Sequence, residues 1–352
     1  MSQPSGSYSD EEHEEETSQE EEYSEEENYQ ADESSTENSH ALNLKWCLGF
    51  NYELFDGAHN LTNLNRKEIF YVAGHTGVIY DYENRTQRLL QGHCNKITSC
   101  SYCPDRGIII TADKGPSALL VVWDATTGIP KKTIFDPHPN GVECLDVSSD
   151  GQLIATLSRE VGQVYSQTVS IWKWDDDDKN PCFASGVLNS TNHTSNPDNP
   201  IDYQYFIRFN HLKKNEFATT GKKSVRFWNT NENGSTCSSY SPMHPSKEAN
   251  NHREYTQTVF IPKTTQAVTG TMDGHLVVWD ISLIMEDYSQ PDQRREIKSI
   301  NLLGITQKND AKKNAITILK AHKEFIIIGS SNGSVRFYDY QFRIVSWFED
   351  FG

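Results

Sequence analysis

Short Val- and Ile-rich stretches ending on an aromatic residue recur along this chain, separated by polar, Gly-bearing segments. Six copies align: Val78-Ile79-Tyr80-Asp81, Val121-Val122-Trp123-Asp124, Ser170-Ile171-Trp172-Lys173, Arg226-Phe227-Trp228-Asn229, Val277-Val278-Trp279-Asp280 and Arg336-Phe337-Tyr338-Asp339. Their aromatic positions fall 43, 49, 56, 51 and 59 residues apart. That is close to the roughly 40 to 45 residues that build one four-stranded propeller blade, with loops taking the excess. A repeat on this period predicts a scaffold.

Each copy follows one local order: a β-rich stretch, a tight turn, then the aromatic strand. In the clearest case Ala267-Val268-Thr269-Gly270-Thr271 reads as a strand, Met272-Asp273-Gly274-His275 as the turn, and Leu276 to Asp280 as the next strand. Asp-Gly is a hairpin signal because a two-residue turn between twisted strands needs positive φ, which Gly adopts without a Cβ clash. Asn332-Gly333 serves the last copy in the same way. The expected fold is all-β: a propeller with six recognisable four-stranded blades at about 44–91, 97–135, 142–188, 203–240, 256–303 and 315–352.

Composition divides the chain near its start. Residues 1 to 40 hold 15 of the 49 acidic residues, no Lys or Arg, and after Met1 only Tyr and Ala among the hydrophobic types. Such a segment cannot bury enough surface to offset chain entropy, so 1–43 is expected to be a disordered acidic tail and 44–352 the propeller. Outside the tail, 34 acidic residues face 32 basic ones, so the formal charge of −17 belongs almost entirely to the tail. The body lacks the basic footprint of a nucleic-acid binder. For the tail, solubility and spacing or contact with a basic partner are both open.

No apolar run near the start suggests a signal peptide and no stretch of 18 apolar residues occurs, so the expectation is an intracellular protein with no membrane partner. Seven scattered cysteines suit a reducing compartment. Cys100-Ser101-Tyr102-Cys103, with His93 and Cys94 nearby, has a faint metal-ligand look, but residues three apart on a strand point to opposite faces and no second pair completes four ligands. No metal or cofactor is expected. Catalytic patterns are missing too: there is no Gly-x-Ser-x-Gly elbow, phosphate-cradling Gly loop or His-Glu-x-x-His helix. Asp175 to Asp178 read as a solvated loop without the Gly and spacing of a calcium site. An enzyme is therefore not expected.

Gln91-Gly92-His93 at the start of blade two resembles the Gly-His dipeptide of WD-repeat propellers. That resemblance implies a buried hydrogen-bonded set of His, a second-strand Ser or Thr, a turn Asp and the third-strand Trp. It carries over as His93, Thr111, Asp113 and Trp123 in blade two, and partly as Thr271, Asp273 and Trp279 in blade five, with His252 early and lacking its Gly. Blade three offers His138, Ser158 and Trp172 without a turn Asp, and blades one, four and six match less. Such sets are satisfied polar cores, since a buried Trp N–H or imidazole left unpaired is costly.

A narrower resemblance follows from Thr111-Ala112-Asp113-Lys114-Gly115-Pro116, Val122-Trp123-Asp124, Thr127-Gly128-Ile129-Pro130 and Thr133-Ile134-Phe135-Asp136. Together with Ile171-Trp172-Lys173-Trp174, Ser334 to Asp339 and Trp347-Phe348-Glu349-Asp350, these runs resemble the N-terminal propeller of the cilia- and flagella-associated protein 251 family, from about residue 44 onward. The resemblance implies a non-catalytic WD-repeat adaptor of the ciliary axoneme. Its implied partners are other radial-spoke-base and axonemal proteins, a calmodulin-containing complex and, indirectly, the doublet microtubule. The alternative is a WD-repeat adaptor outside cilia, either a ubiquitin-ligase substrate receptor or a histone-binding module.

In propellers of this kind the loops between strands two and three and those joining blades share one face, which here would carry Lys114, Gly115, Pro116, His138 and Asn140. A contact role and a merely longer hairpin are both open for the Lys-Gly-Pro turn, where Pro stiffens the loop. Family members are longer, and residues 175 to 200 form an Asn- and Asp-rich excursion. A ring of the common seven-blade type would lack one blade here, so an incomplete ring is expected.

Overall fold

The computed structural model describes residues 44–160, 167–176, 180–186, 202–244, 253–281, 293–302 and 314–349. The chain divides into Met1–Leu44 and Lys45–Gly352; the acidic segment expected to be disordered, residues 1–43, lies outside the described residues. Within Lys45–Gly352, the described strands form six four-stranded antiparallel sheets arranged as the blades of a ring, each built from four consecutive strands.

Blade one contains β1 (Ala58–Asn60), β2 (Glu68–Ala73), β3 (Thr76–Asp81) and β4 (Thr86–Leu90). Blade two contains β5 (Ile97–Cys103), β6 (Ile108–Asp113), β7 (Leu119–Asp124) and β8 (Pro130–Phe135). Blade three runs from β9 (Val142–Val147) through β10 (Leu153–Ser158) and β11 (Thr168–Lys173) to β12 (Phe183–Gly186). Blade four has β13 (Gln204–Phe209), β14 (Glu216–Gly221), β15 (Val225–Thr230) and β16 (Cys237–Tyr240). Blade five has β17 (Tyr255–Phe260), β18 (Ala267–Thr271), β19 (His275–Ile281) and β20 (Arg294–Asn301). Blade six has β21 (Ile316–His322), β22 (Phe325–Ser330), β23 (Val335–Tyr338) and β24 (Ile344–Phe348).

Blades two to six begin within a residue or so of the expected positions. Blade one does not: its inner strand was expected from Leu44, yet β1 starts at Ala58. Trp46 and Phe50 of the segment before it lie instead against that blade. Trp46 meets Tyr80 edge-on at 6.2 Å, Phe50 meets Tyr71 at 6.4 Å, and the Cys47 backbone exchanges two hydrogen bonds with the Gln87 amide.

Middle strands such as β6 are buried at every position, which is what a sheet covered on both faces requires. The Asp273-Gly274 and Asn332-Gly333 turns have their glycines at φ +81° and +85°, the left-handed conformation a Cβ disfavours. Apolar clusters fill the spaces between blades one and two, two and three, three and four, four and five, and five and six. Among the described residues, no such cluster joins blade six to blade one.

Candidate functional site: polar cores, the Lys114 turn and the central ion network

In blade two, Trp123 Nε1 donates to Thr111 Oγ1 at 2.7 Å, Thr111 Oγ1 lies 2.7 Å from His93 Nε2, and His93 Nδ1 lies 3.0 Å from Asp113 Oδ2. The other Asp113 oxygen accepts the Leu119 N–H at 2.6 Å. With Thr111 donating to Nε2, the imidazole carries its proton on Nδ1 and donates it to Asp113. All four side chains are buried. Every donor is matched by an acceptor inside the set, so it ties the loop before β5 to β6 and β7 and leaves no group facing a substrate.

In blade five, Thr271 and Asp273 bond each other at 2.5 Å, and Thr271 Oγ1 accepts the His275 N–H at 2.8 Å, but neither meets Trp279. Trp279 Nε1 donates to Thr269 at 2.7 Å. The reason is register: Trp279 sits opposite Ala267, and Thr269 is the same-face neighbour two residues on, within diagonal reach, whereas Thr271 closes the strand beyond it. His252 lies outside the described residues. Blade three repeats the offset. His138 Nε2 and Trp172 Nε1 converge on Thr156 at 2.8 and 2.9 Å, while Ser158 bonds Glu160. Burial pushes the His138 imidazole down to about 4. Blade four holds a set that sequence reasoning passed over, Trp228 Nε1 to Thr219 at 3.0 Å, although a Thr two residues beyond the one opposite the Trp was its signal.

The five residues singled out for a partner surface are not all at the surface. His138 is buried within the blade-three set and belongs to the polar core. The other four form one junction between blades two and three. Lys114 bridges to Gly141, the Gly115 N–H donates to Asn140 O at 2.9 Å, and Pro116 O accepts from the Asn95 amide at 3.2 Å. Pro116 is exposed and Lys114 half-buried. Beside them opens a cavity of about 230 Å³ lined by Lys96, Lys114, Glu143, Arg159, Tyr205 and Glu53, among others. Lys96 pairs with Glu53 at 2.6 Å, and by that hydrogen bond and charge, with a smaller contribution from Lys114, holds the Glu53 carboxyl below its ordinary range.

A second charged cluster, not read from the sequence, centres on Asp56, at φ +55° just before β1. Its carboxylate accepts from Arg208 of blade four at 2.9 Å and Lys320 of blade six at 2.8 Å. Arg208 also lies 3.8 Å from Asp146 of blade three, which accepts from Ser101 of blade two at 2.8 Å. Burial alone would raise the Asp56 carboxyl, but Arg208, His59 and Lys320 outweigh it and hold it far below the usual range. One aspartate thus links the inner strands of distant blades.

The cysteines of β5 point apart as expected, Cys100 into the core toward blade one and Cys103 into that toward blade three. Burial pushes Cys144 up to about 11. Among the described residues no three His, Cys, Asp or Glu side chains gather as a metal site. Of the aspartate run, Asp175 lies 3.7 Å from Arg106 and Asp176 the same distance from Lys173; Asp177 and Asp178 lie outside the described residues.

Comparison with known proteins agrees with this architecture. The propeller of Myceliophteria thermophila Cps50 (Swd1) superposes with a TM-score of 0.54 at 14% identity, covering 82% of this chain and 84% of that one, which shows the fold alone. The chain is 55% identical over 316 residues to cilia- and flagella-associated protein 251 of Tetrahymena thermophila, and 37% identical over 319 residues to that of Chlamydomonas reinhardtii. These alignments take in 88% and 89% of this chain but 30% and 38% of the relatives. The sequence profile described as CFAP251 N-terminal domain matches residues 42–352. With that match spanning nearly all of the propeller, the chain belongs to the cilia- and flagella-associated protein 251 family.

Proposed function

We propose that this protein is a non-catalytic adaptor of the ciliary axoneme that helps hold a radial spoke to the doublet microtubule next to a calmodulin-containing complex. Membership of a family whose members are named as cilia- and flagella-associated carries this reading. The buried polar sets support it, since their donors and acceptors are matched within the fold and a propeller offers several contact surfaces without chemistry of its own. The contact is assigned to the junction of Lys114, Gly115, Pro116 and Asn140, where two blades meet and charged side chains border a cavity.

The test is to express the full-length protein with a tag in a ciliated cell, extract the axonemes with detergent and identify what is retained with it. Retention with spoke-base proteins and a calmodulin-containing complex is the expected result. An even nuclear distribution, or complete loss on extraction, would overturn the reading.

A further inference from the structure

We propose that the cavity beside Lys114 receives the carboxylate of a Glu or Asp side chain on an acidic segment of a partner protein, with the Lys114 ammonium as its counter-ion. This rests on the reading of the Lys114 junction as the contact surface and names the chemistry of what meets it.

The residue just past the second strand differs from blade to blade. In blades two, three and four it is a cation, Lys114, Arg159 and Lys222; in blades one, five and six it is Gly74, Met272 and Ser331. Beside it runs the start of the next blade's inner strand: the Tyr255 N–H donates to Lys222 O at 2.9 Å, and the Ile97 N–H to Gly74 O at 3.0 Å. For two of the three cations, the residue just ahead of that strand serves the charge. Glu254 pairs with Lys222 at 3.1 Å. Tyr203 donates at 2.9 Å to Glu143, which pairs with Arg159 at 3.3 Å. Beside Lys114 the same position is Gly141, which has no side chain. A larger residue is excluded there, because φ is +83° and a Cβ would lie 2.5 Å from the Lys114 Cα. The close approach of blades two and three thus removes the group that answers the cation elsewhere.

The carboxylates that line the cavity are engaged. Glu53 holds Lys96 at 2.6 Å and Glu143 holds Arg159, so among the described residues these ion pairs leave the half-buried Lys114 ammonium without one. Lys96, Lys114 and Arg159 against Glu53 and Glu143 give the lining an excess of one positive charge. Leu54, Phe55 and Ile97 line it too, so the hydrocarbon stem of an acidic side chain is accommodated with its charge.

Size decides between a free molecule and a protein segment. The cavity, about 230 Å³, is smaller than the roughly 300 to 1,000 Å³ of small-molecule sites. One ammonium near the surface favours an anion in water by only about fivefold. The acid is therefore carried on a larger partner, whose other contacts fall on the exposed junction at Pro116.

The test is the fluorescence anisotropy of a short labelled peptide of alternating Glu and Gly, titrated with the 352-residue chain at low ionic strength. The same peptide with Gln for Glu is the control. Residues 1–43 are common to every variant and do not enter the comparison. Lys114→Gln is expected to weaken the acidic peptide about fivefold, and Lys114→Arg to keep it. Glu53→Gln, which releases Lys96 to the cavity, is expected to tighten it about twofold. Lys222→Gln, at the same place in blade four but outside the cavity lining, is expected to leave it unchanged. Melting curves confirm that each variant is folded; if Lys114→Gln is not, Glu53→Gln decides, and no gain there overturns the proposal. A Gln peptide that binds as well as the Glu peptide overturns it, as does binding of neither. So does a Lys222→Gln loss equal to that of Lys114→Gln, which would mark a general charge effect. The two readings fail separately. If Lys114→Gln weakens the peptide but leaves retention in axonemes intact, the carboxylate site stands and the axonemal contact falls; the reverse result would keep the contact and remove the site.

Discussion

Blade two and blade six share a strand order and differ in what surrounds them. Blade two is packed on both faces and carries an unbroken hydrogen-bonded chain from Trp123 through Thr111 and His93 to Asp113. In blade six a Tyr stands in place of the Trp, its hydroxyl donating to Leu302 O of blade five at 3.1 Å, and the hydroxyl position is filled by Ile328. Tyr338 is as buried as the tryptophans it replaces, on the face packed against blade five, so the difference lies in the residues and not in exposure. An indole N–H there needs a hydroxyl acceptor on its own second strand, whereas a phenol extends further and reaches a backbone carbonyl of the neighbouring blade.

The largest test of that contrast is Trp123→Ala against Trp347→Ala. Removing Trp123 takes a large side chain from the core and leaves Thr111 and His93 short of a partner, so a loss of about 3 to 5 kcal/mol is expected. Trp347, 57% exposed on the outer strand of blade six, should change stability by no more than about 0.5 kcal/mol. Chemical denaturation of both variants reads the difference directly. Equal losses would mean that blade six is as enclosed as blade two.

Next in size is Asp56→Asn, which probes how blade six is tied to the rest. The amide cannot hold Arg208 and Lys320 as a carboxylate does, and both cations are left with weaker partners. Charge-assisted hydrogen bonds of this sort are worth about 1.5 to 3 kcal/mol in total, with the lower end expected because Lys320 is partly exposed. Hydrogen exchange should show the loss first in β21. Uniform destabilisation of all blades would argue against a local tie.

Much of this architecture was legible in the sequence, because an aromatic-terminated strand repeats and Asp-Gly or Asn-Gly turns mark the hairpins; the starts of β5, β9, β13, β17 and β21 were within reach of that pattern. The site was legible where four residue types coincide, as at His93, Thr111, Asp113 and Trp123. It was misread by two residues at Thr271 and Ser158, because only cross-strand pairing decides which hydroxyl lies diagonal to the Trp. The Asp56 cluster joins residues 152 and 264 positions apart, and no local pattern carries such a contact. Blade one was read as starting at Leu44, whereas its first strand begins at Ala58 and Trp46 and Phe50 of the preceding segment meet Tyr80 and Tyr71 of that blade.

A pH titration sharpens the contrast between enclosed blades. His138 in blade three has no carboxylate partner, and burial lowers its folded value to about 4, below the roughly 6.5 of an unfolded chain. The unfolded state therefore binds the proton first. The stability contributed is fully present above about pH 6.5 and is lost as pH falls from there toward 4, amounting to about 2 kcal/mol by pH 5. His59 and His211 are lowered in the same sense, chiefly by burial, and add to the slope. His138→Gln should flatten the decline between pH 7 and 5 in part. An unchanged slope would show that His138 is not the group titrating.

The smallest effect on stability is expected at Lys114, where the largest effect on partner retention is predicted. Its backbone bridges to Gly141, a link that survives any side-chain change, and its ammonium borders the cavity with Glu53 and Glu143 close by. Lys114→Glu keeps the turn, so the melting curve should stay within about 0.5 kcal/mol of the parent. The reversed charge, however, adds a third carboxylate to that rim and turns a mixed surface acidic, which opposes any partner that meets Lys114 with an acidic group. Retention in detergent-extracted axonemes should fall while Lys114→Arg restores it. If Lys114→Glu unfolds the protein, the turn is part of the core; if it folds and is retained in full, the contact lies on another face of the ring.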